Sequence, residues 1–346
     1  MTQQTLDPGI AARVPDVVGI LDDTRRWMRP AMREAADRLH PGPRQISGFT
    51  FGWREADGTP RDGDGGKGVR PALAGLAAVA AGGAPEDAAP GAVAVEFVHA
   101  FSLVHDDIMD GDELRRHRQT AWKAYGVGAA VLAGDGLLAL ALDTLARSGN
   151  ADAVSKLTGV LVELVNGQAA DTAFEERSWS GPGAVTVEEY TAMAIGKTAS
   201  LLGCAASVGW LLGGGDAAGA HLMDRMGRHL GLAFQAVDDV LGIWGDPAVT
   251  GKAVYNDLRQ GKKSLPVVAA LGAGVEGLAE LLADRPDDEA RARRAAGLIE
   301  KAGGRRFTED LAERELAAAL AVIDEIGAEA APGLRALAEY VVRRRA

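Results

Sequence analysis

Two aspartate-rich segments carry the side chains with the most obvious chemistry. The first, Leu103-Val104-His105-Asp106-Asp107-Ile108-Met109-Asp110, closes an otherwise apolar run. Asp106 and Asp110 are four residues apart, so on a helix both carboxylates share one face. Like charges at that spacing repel, and a hard divalent cation resolves the conflict. Mg2+ takes carboxylate oxygens, keeps part of its water shell and bridges to phosphate oxygens. A solvated acidic helix end is the plainer alternative, weakened by the apolar approach to the motif. The second segment is Phe234-Gln235-Ala236-Val237-Asp238-Asp239-Val240-Leu241-Gly242. Four residues after Asp238 stands Gly242, so the same-face pair is missing there; the expectation is that Gly242→Asp is tolerated. Helices that present carboxylates to one another across a bundle build metal sites in its core.

Basic residues accompany both motifs. Gly65-Gly66-Lys67-Gly68-Val69-Arg70-Pro71 sets two cations at a loop-to-helix junction, and Arg115 and Arg116 follow the first motif at once. Lys197, Lys252, Lys262 and Lys263 stand near loops or helix ends. Each alone reads as a surface charge. Together with carboxylates that hold Mg2+, they describe a diphosphate site.

The elements that must position these residues are helices. Alternating strand patterns are missing, and Ala, Leu, Glu and Arg fill the long segments. The pattern predicts helices near 14–39, 67–82, 86–110, 119–147, 150–176, 186–213, 217–244, 264–283, 287–302, 305–326 and 330–345. His40–Gly68 reads as a loop rich in Gly and Pro, with Phe49, Phe51 and Trp53 tying it to the body. Shorter loops are expected at 178–186 and 245–257. None resembles a domain boundary, so one domain is expected over 1–346, with residues 1–66 packed on a catalytic body at 67–346.

Composition narrows the class. Lys and Arg number 37 against 48 Asp and Glu, a net charge of −11, which argues against nucleic acid as a partner. Hydrophobic residues at 47% and charged residues at 25% fit a globular protein. The lone Cys204 cannot form an internal disulfide, which favours a cytoplasmic setting. Residues 1–15 show no secretory pattern. Thr198–Gly215 is uncharged, but its glycines and polar residues point to a buried core helix rather than a membrane span.

Taken in order, the motifs GGKGVRP, EFVHAFSLVHDDIMDGDELRRHRQT, GKTASL, FQAVDDVLGIWGDPAVTGK and NDLRQGKKSLP resemble those of the trans-type polyprenyl diphosphate synthases, from about residue 65 to 266. The resemblance implies an all-α isoprenoid synthase fold, an antiparallel helix bundle around a central cavity, in a homodimer. It implies Mg2+-assisted joining of isopentenyl diphosphate to an allylic diphosphate (dimethylallyl, geranyl or farnesyl). By the same resemblance Asp106 and Asp110 bind Mg2+ with Asp107 in support, and Asp238 holds another ion with Asp239 and Asp257 nearby. Arg115, Lys197 and Lys252 would grip the allylic diphosphate. Lys67, Arg70, His99 and Arg116 would hold isopentenyl diphosphate, and Thr198, Gln235 and Lys262 would add contacts. Gln168 and Asp171 match a pair lining the same cavity. His99 lies seven residues before Asp106, almost two turns, and so on the same stripe; apart from the family it reads as a core histidine.

Product length should depend on the residues beneath Asp106. On a helical wheel of roughly 100° per residue, Ser102 falls about 40° from Asp106 and Phe101 about 140° away. The resemblance implies that both line the tunnel. With Ser102 small, a C20 product, geranylgeranyl diphosphate, is expected, with farnesyl diphosphate as the alternative. Two departures stand out. Gly68 replaces a basic residue common in the family, and Gly242 replaces the third aspartate of the second motif. They keep a non-catalytic partner subunit open as an alternative, beside a class I terpene cyclase. Lys67, Arg70 and His99 speak against the cyclase, which has no need of isopentenyl diphosphate. The basic end Arg343–Ala346 reads either as a helix terminus favoured by its dipole or as a tail closing over the site.

Overall fold

Helix starts are written into the sequence as caps. Asp16, Asn150, Asp216 and Asp288 each accept a hydrogen bond from a first-turn backbone N–H, and Thr186 with Glu189 forms a reciprocal capping box. The computed structural model describes residues 16–63, 66, 68–247, 253–327 and 331–343. The elements run α1 (Val17–Ala36), α2 (Pro41–Thr50), α3 (Val69–Ala80), α4 (Ala89–Met109), α5 (Ala121–Tyr125), α6 (Val127–Ala146) and α7 (Ala151–Glu175). They continue with α8 (Val187–Ala194), α9 (Ser200–Leu212), α10 (Ala217–Trp244), α11 (Asn256–Arg259), α12 (Leu265–Gly272) and α13 (Leu278–Ala283). The last three are α14 (Glu289–Lys301), α15 (Gly304–Ile326) and α16 (Ala331–Val342). One small antiparallel ladder, β1 (Leu114–Arg115) with β2 (Arg118–Gln119), follows α4.

The long helices match the hydrophobic periodicity, and three differences have local causes. The loop expected over 40–68 contains α2. Pro41 sits in its first turn, where a missing N–H costs nothing, and His40 Nδ1 accepts from Gly42 N. The helix expected over 264–283 is two, α12 and α13, parted by a turn in which Gly274 takes φ +74°. Within 186–213 the chain stays helical but widens to a π-helical turn at Ile195–Ala199.

The core forms where α10 packs along α9 and α15, and where α4 packs on α6 and α3 on α9. Ten residues of α9, Cys204 among them, are buried, as expected of a core helix. Pro85–Met109, Val127–Ala146 and Val187–Leu212 are each long and apolar enough to cross a membrane by length and composition alone. In this fold 61% of the apolar window in Val187–Leu212 is buried against the protein's own helices. Phe51 joins the main core, stacked on Trp53 at 4.8 Å and 5.8 Å from Phe97 of α4. The aromatic segment is thereby fastened to the helix that carries the first aspartate motif.

Candidate active site

The last turns of α4 present Asp106 and Asp110 to two lysines from distant segments. Lys197 Nζ lies 3.8 Å from Asp106 Oδ2 and 2.6 Å from Asp171 Oδ2 on α7. Lys262 Nζ lies 3.9 Å from Asp110 Oδ2. Burial raises the pKa of Asp106 to about 6; Lys197 opposes that shift and Asp110 adds to it. Burial also works against the charge on Lys197, but Asp171 and Asp106 outweigh it and raise its pKa. The carboxylates are thus held by exchangeable cations rather than by one another.

The π-helical turn aims Lys197. Insertion of one residue per turn is a frequent device at functional sites. Gly167 on α7 permits it: a Cβ there would collide with the backbone nitrogen of Lys197. From the other side Gly231 of α10 lies against Ala199, where a Cβ would collide with Ala199 Cα. Thr198 donates to Gln235 Oε1 at 2.8 Å, and Gln235 Nε2 donates to Asp239 Oδ1 at 2.8 Å.

Asp107 and Asp239, expected among the metal residues, turn inward. Asp107 is buried, and its Oδ1 accepts from Arg115 Nε at 2.7 Å, which steadies that guanidinium. Both oxygens of Asp239 are engaged, Oδ1 by Gln235 and Oδ2 by the Tyr190 hydroxyl and by Leu265 N at 2.8 Å. Burial lifts its pKa to about 7 against those three donors. This geometry suits a brace between α8, α10 and α12 rather than an open metal ligand. Tyr190 was not singled out by sequence; a capped helix one turn away gives no hint of its partner.

A second cationic group gathers where α3 begins. Arg70, Arg116 and Glu96 of α4 lie within one another's field, and Asp238 acts on Arg70. His99 sits among them. Burial, then Arg70, Arg116 and Arg115, push its pKa well below the usual histidine range, so the ring is neutral. Glu96 is a further residue sequence reading passed over, since one acidic residue in an apolar helix has no spacing signal. Lys67 and Lys252 lie outside the described residues, as do residues 344–346 of the chain end.

Gly242 differs from expectation. A Cβ there would fall on the carboxylate of Asp257, which is buried. The space a third aspartate would enter is taken by a carboxylate from α11, so an aspartate at 242 requires the Asp257 side chain to shift. Phe101 is half-buried on α4. It packs edge-on to His105 at 4.7 Å, and His105 Nε2 lies 3.3 Å from the Val131 carbonyl of α6, so Phe101 lies on the α6 flank of α4. Ser102 donates to the His99 carbonyl at 2.9 Å.

Among the described residues no three His, Cys, Asp or Glu side chains are preassembled around a metal position. Asp106 and Asp110 nonetheless fit Mg2+: two hard oxygen donors share a helix face, with ammonium groups near each. An ion that retains its waters and shares phosphate oxygens needs no complete protein cage.

Residues 63–299 match the family model described as polyprenyl synthetase. Over 341 residues the chain is 45% identical to a (2E,6E)-farnesyl diphosphate synthase of Mycobacterium bovis, covering 94% of this chain and 93% of that one. It is 40% identical over 352 residues to a geranylgeranyl diphosphate synthase of Mycobacterium tuberculosis, covering 98% of each. The crystal structure of a polyprenyl synthetase from Streptomyces coelicolor A3(2) superposes with a TM-score of 0.89 at 48% identity, over 94% of this chain and all of that one.

Proposed function

Because the chain belongs to the polyprenyl synthetase family and has its isoprenoid synthase fold, we propose that it extends an allylic diphosphate with isopentenyl diphosphate to the C20 product, geranylgeranyl diphosphate. At the coarser level it is a short-chain trans-prenyl diphosphate synthase, a prenyltransferase. The observation that carries the reading is the pairing of two differently built anion sites. One holds Asp106 and Asp110 with Lys197, Lys262 and, through Asp107, Arg115. The other holds Arg70 and Arg116 around a neutral His99.

Prenyl synthases of this family use divalent metal ions. Here Asp106, Asp110 and Asp238 would hold Mg2+, which when bound neutralises charge on the departing diphosphate. Lys197 and Arg115 orient that diphosphate. Arg70 and Arg116 grip isopentenyl diphosphate, and His99 adds a neutral hydrogen-bonding group at no charge cost. Thr198 and Gln235 hold the wall beside Lys197 and carry no proton. The diphosphate that leaves is a base already in place for the final proton loss.

The C20 reading rests on Ser102, which shares the Asp106 face and occupies little of it. Incubation with isopentenyl diphosphate, Mg2+ and each of dimethylallyl, geranyl and farnesyl diphosphate, followed by chromatography, tests it. Elongation stopping at C20 is expected, with Ser102→Phe shifting product towards C15. A C15 end point, cyclised hydrocarbon, or no elongation would each overturn it. We also propose a cytoplasmic homodimer. Leu132 on α6 and Val162 and Val165 on α7, 63%, 62% and 57% exposed, are apolar side chains that such an interface would cover.

A further inference from the structure

Beside the start of α3 the first helix lays two arginines, Arg25 and Arg29, one turn apart against a glycine-rich loop. They line a small pocket with Gly63, Gly66, Gly68 and Glu96. One end of each guanidinium is tied: Arg25 Nη1 to the Asp22 carboxylate, Arg29 Nη2 to Asp62 at 2.9 Å and to the Gly63 carbonyl at 3.2 Å. The Nε–H groups are not. Five buried side-chain polar atoms lack a hydrogen-bond partner among the described residues, and three of them are the Nε atoms of Arg25, Arg29 and Arg70. Buried donors are rarely left unmet, and an unmet one costs more than the bond it lacks would contribute. Three around one loop point to an acceptor with several oxygens.

The glycines bring these groups together. A Cβ on Gly66 would lie 3.5 Å from Arg116 Nη1 and 3.9 Å from Glu96 Oε1, and one on Gly68 would lie 4.0 Å from Arg25 Cγ. Gly68 takes φ +68°, a conformation open to glycine and strained for a basic residue. Position 68 therefore offers backbone but no charge, and among the described residues Arg25 of α1 lies beside it. Among the described residues Glu96 is the one carboxylate lining the pocket, against two arginines there and two more adjoining it.

We infer that Arg25 and Arg29 bind the diphosphate of the isopentenyl substrate together with Arg70 and Arg116, supplying from α1 the charge that Gly68 lacks. The inference rests on the reaction proposed above, and its test separates the two. Inorganic diphosphate and isopentenyl diphosphate are titrated calorimetrically, without metal, into the wild type, Arg25→Gln, Arg29→Gln and Arg25→Lys. Each Gln variant should bind both about tenfold more weakly, the scale of one charge-assisted hydrogen bond, and Arg25→Lys should lose less than Arg25→Gln. In turnover, kcat/KM at limiting isopentenyl diphosphate should fall about as far, while the value at limiting allylic diphosphate stays within about twofold. The ligand-free Gln variants lose an unmet buried donor together with the exposed tie to Asp22 or Asp62, two opposing effects, so they should melt within a few degrees of the wild type. Binding within twofold of wild type in both Gln variants would overturn the inference, as would equal losses for the two substrates. A wild type that elongates nothing would refute the reaction, and the calorimetry with inorganic diphosphate would still decide the role of the arginines.

Discussion

Asp106 is held by burial at a pKa of about 6, well above an ordinary aspartate, and Lys197 lies 3.8 Å from it. Below about pH 6 the metal-free site therefore holds a proton at Asp106 that Mg2+ must displace. Because the pKa is raised, the proton is retained below about pH 6 and lost above it. Mg2+ affinity should fall by on the order of tenfold for each pH unit below 6 and level off above 7. Titration of Mg2+ with a fixed diphosphate from pH 5 to 8 checks this; a flat profile, or one unchanged in Asp106→Asn, would count against it. Asp106→Ala and Asp238→Ala should each lower kcat by on the order of 10²–10³, the cost of one lost electrostatic contact to a leaving group. Near-normal turnover in either would reject the metal assignment. Gly242→Asp should destabilise by about 1–3 kcal/mol through overpacking against Asp257, and Asp257→Gly in the same chain should recover most of that loss. Denaturant melts of the wild type and the two variants decide it: a Gly242→Asp protein as stable as wild type would mean that Asp257 moves aside freely.

At the level of elements, the π-helical turn at Ile195–Ala199 is wedged between α7 and α10. Its geometry depends on what those helices leave out. Gly167→Ala puts a methyl group against the Lys197 backbone, which cannot rotate away as a side chain would. Displacing Lys197 by about an ångström should lower kcat/KM for the allylic substrate by roughly 10²-fold. Gly159→Ala, on the same helix with nothing within 4 Å of the added methyl, should leave activity unaltered and the protein no less stable. Equal activity in the two variants would show that the turn tolerates a shift.

For the whole molecule, the exposed apolar residues of α6 and α7 bear on assembly. Sedimentation at micromolar concentration should show a dimer, and Leu132→Glu together with Val165→Glu should shift it towards monomer. A monomeric wild type would remove the dimer from the reading. The same scale holds the reason why product length resists prediction. A chain growing from Asp106 meets side chains from several helices. The wheel ranks only those on α4, where Phe101 packs edge-on to His105.

The long helices, the two aspartate motifs and the order of the cationic segments were legible in the sequence alone, because periodicity and spacing are local properties of the chain. α2 could have been read from Pro41 in a first turn, had the glycines around it weighed less. Tertiary structure alone decided that Asp107 and Asp239 serve as braces, that Asp257 fills the space beside Gly242, and that Arg25 stands where Gly68 offers no charge. Each of these depends on which residue arrives from an element distant in sequence, and pattern along one helix says nothing about what the neighbouring helix presents to it.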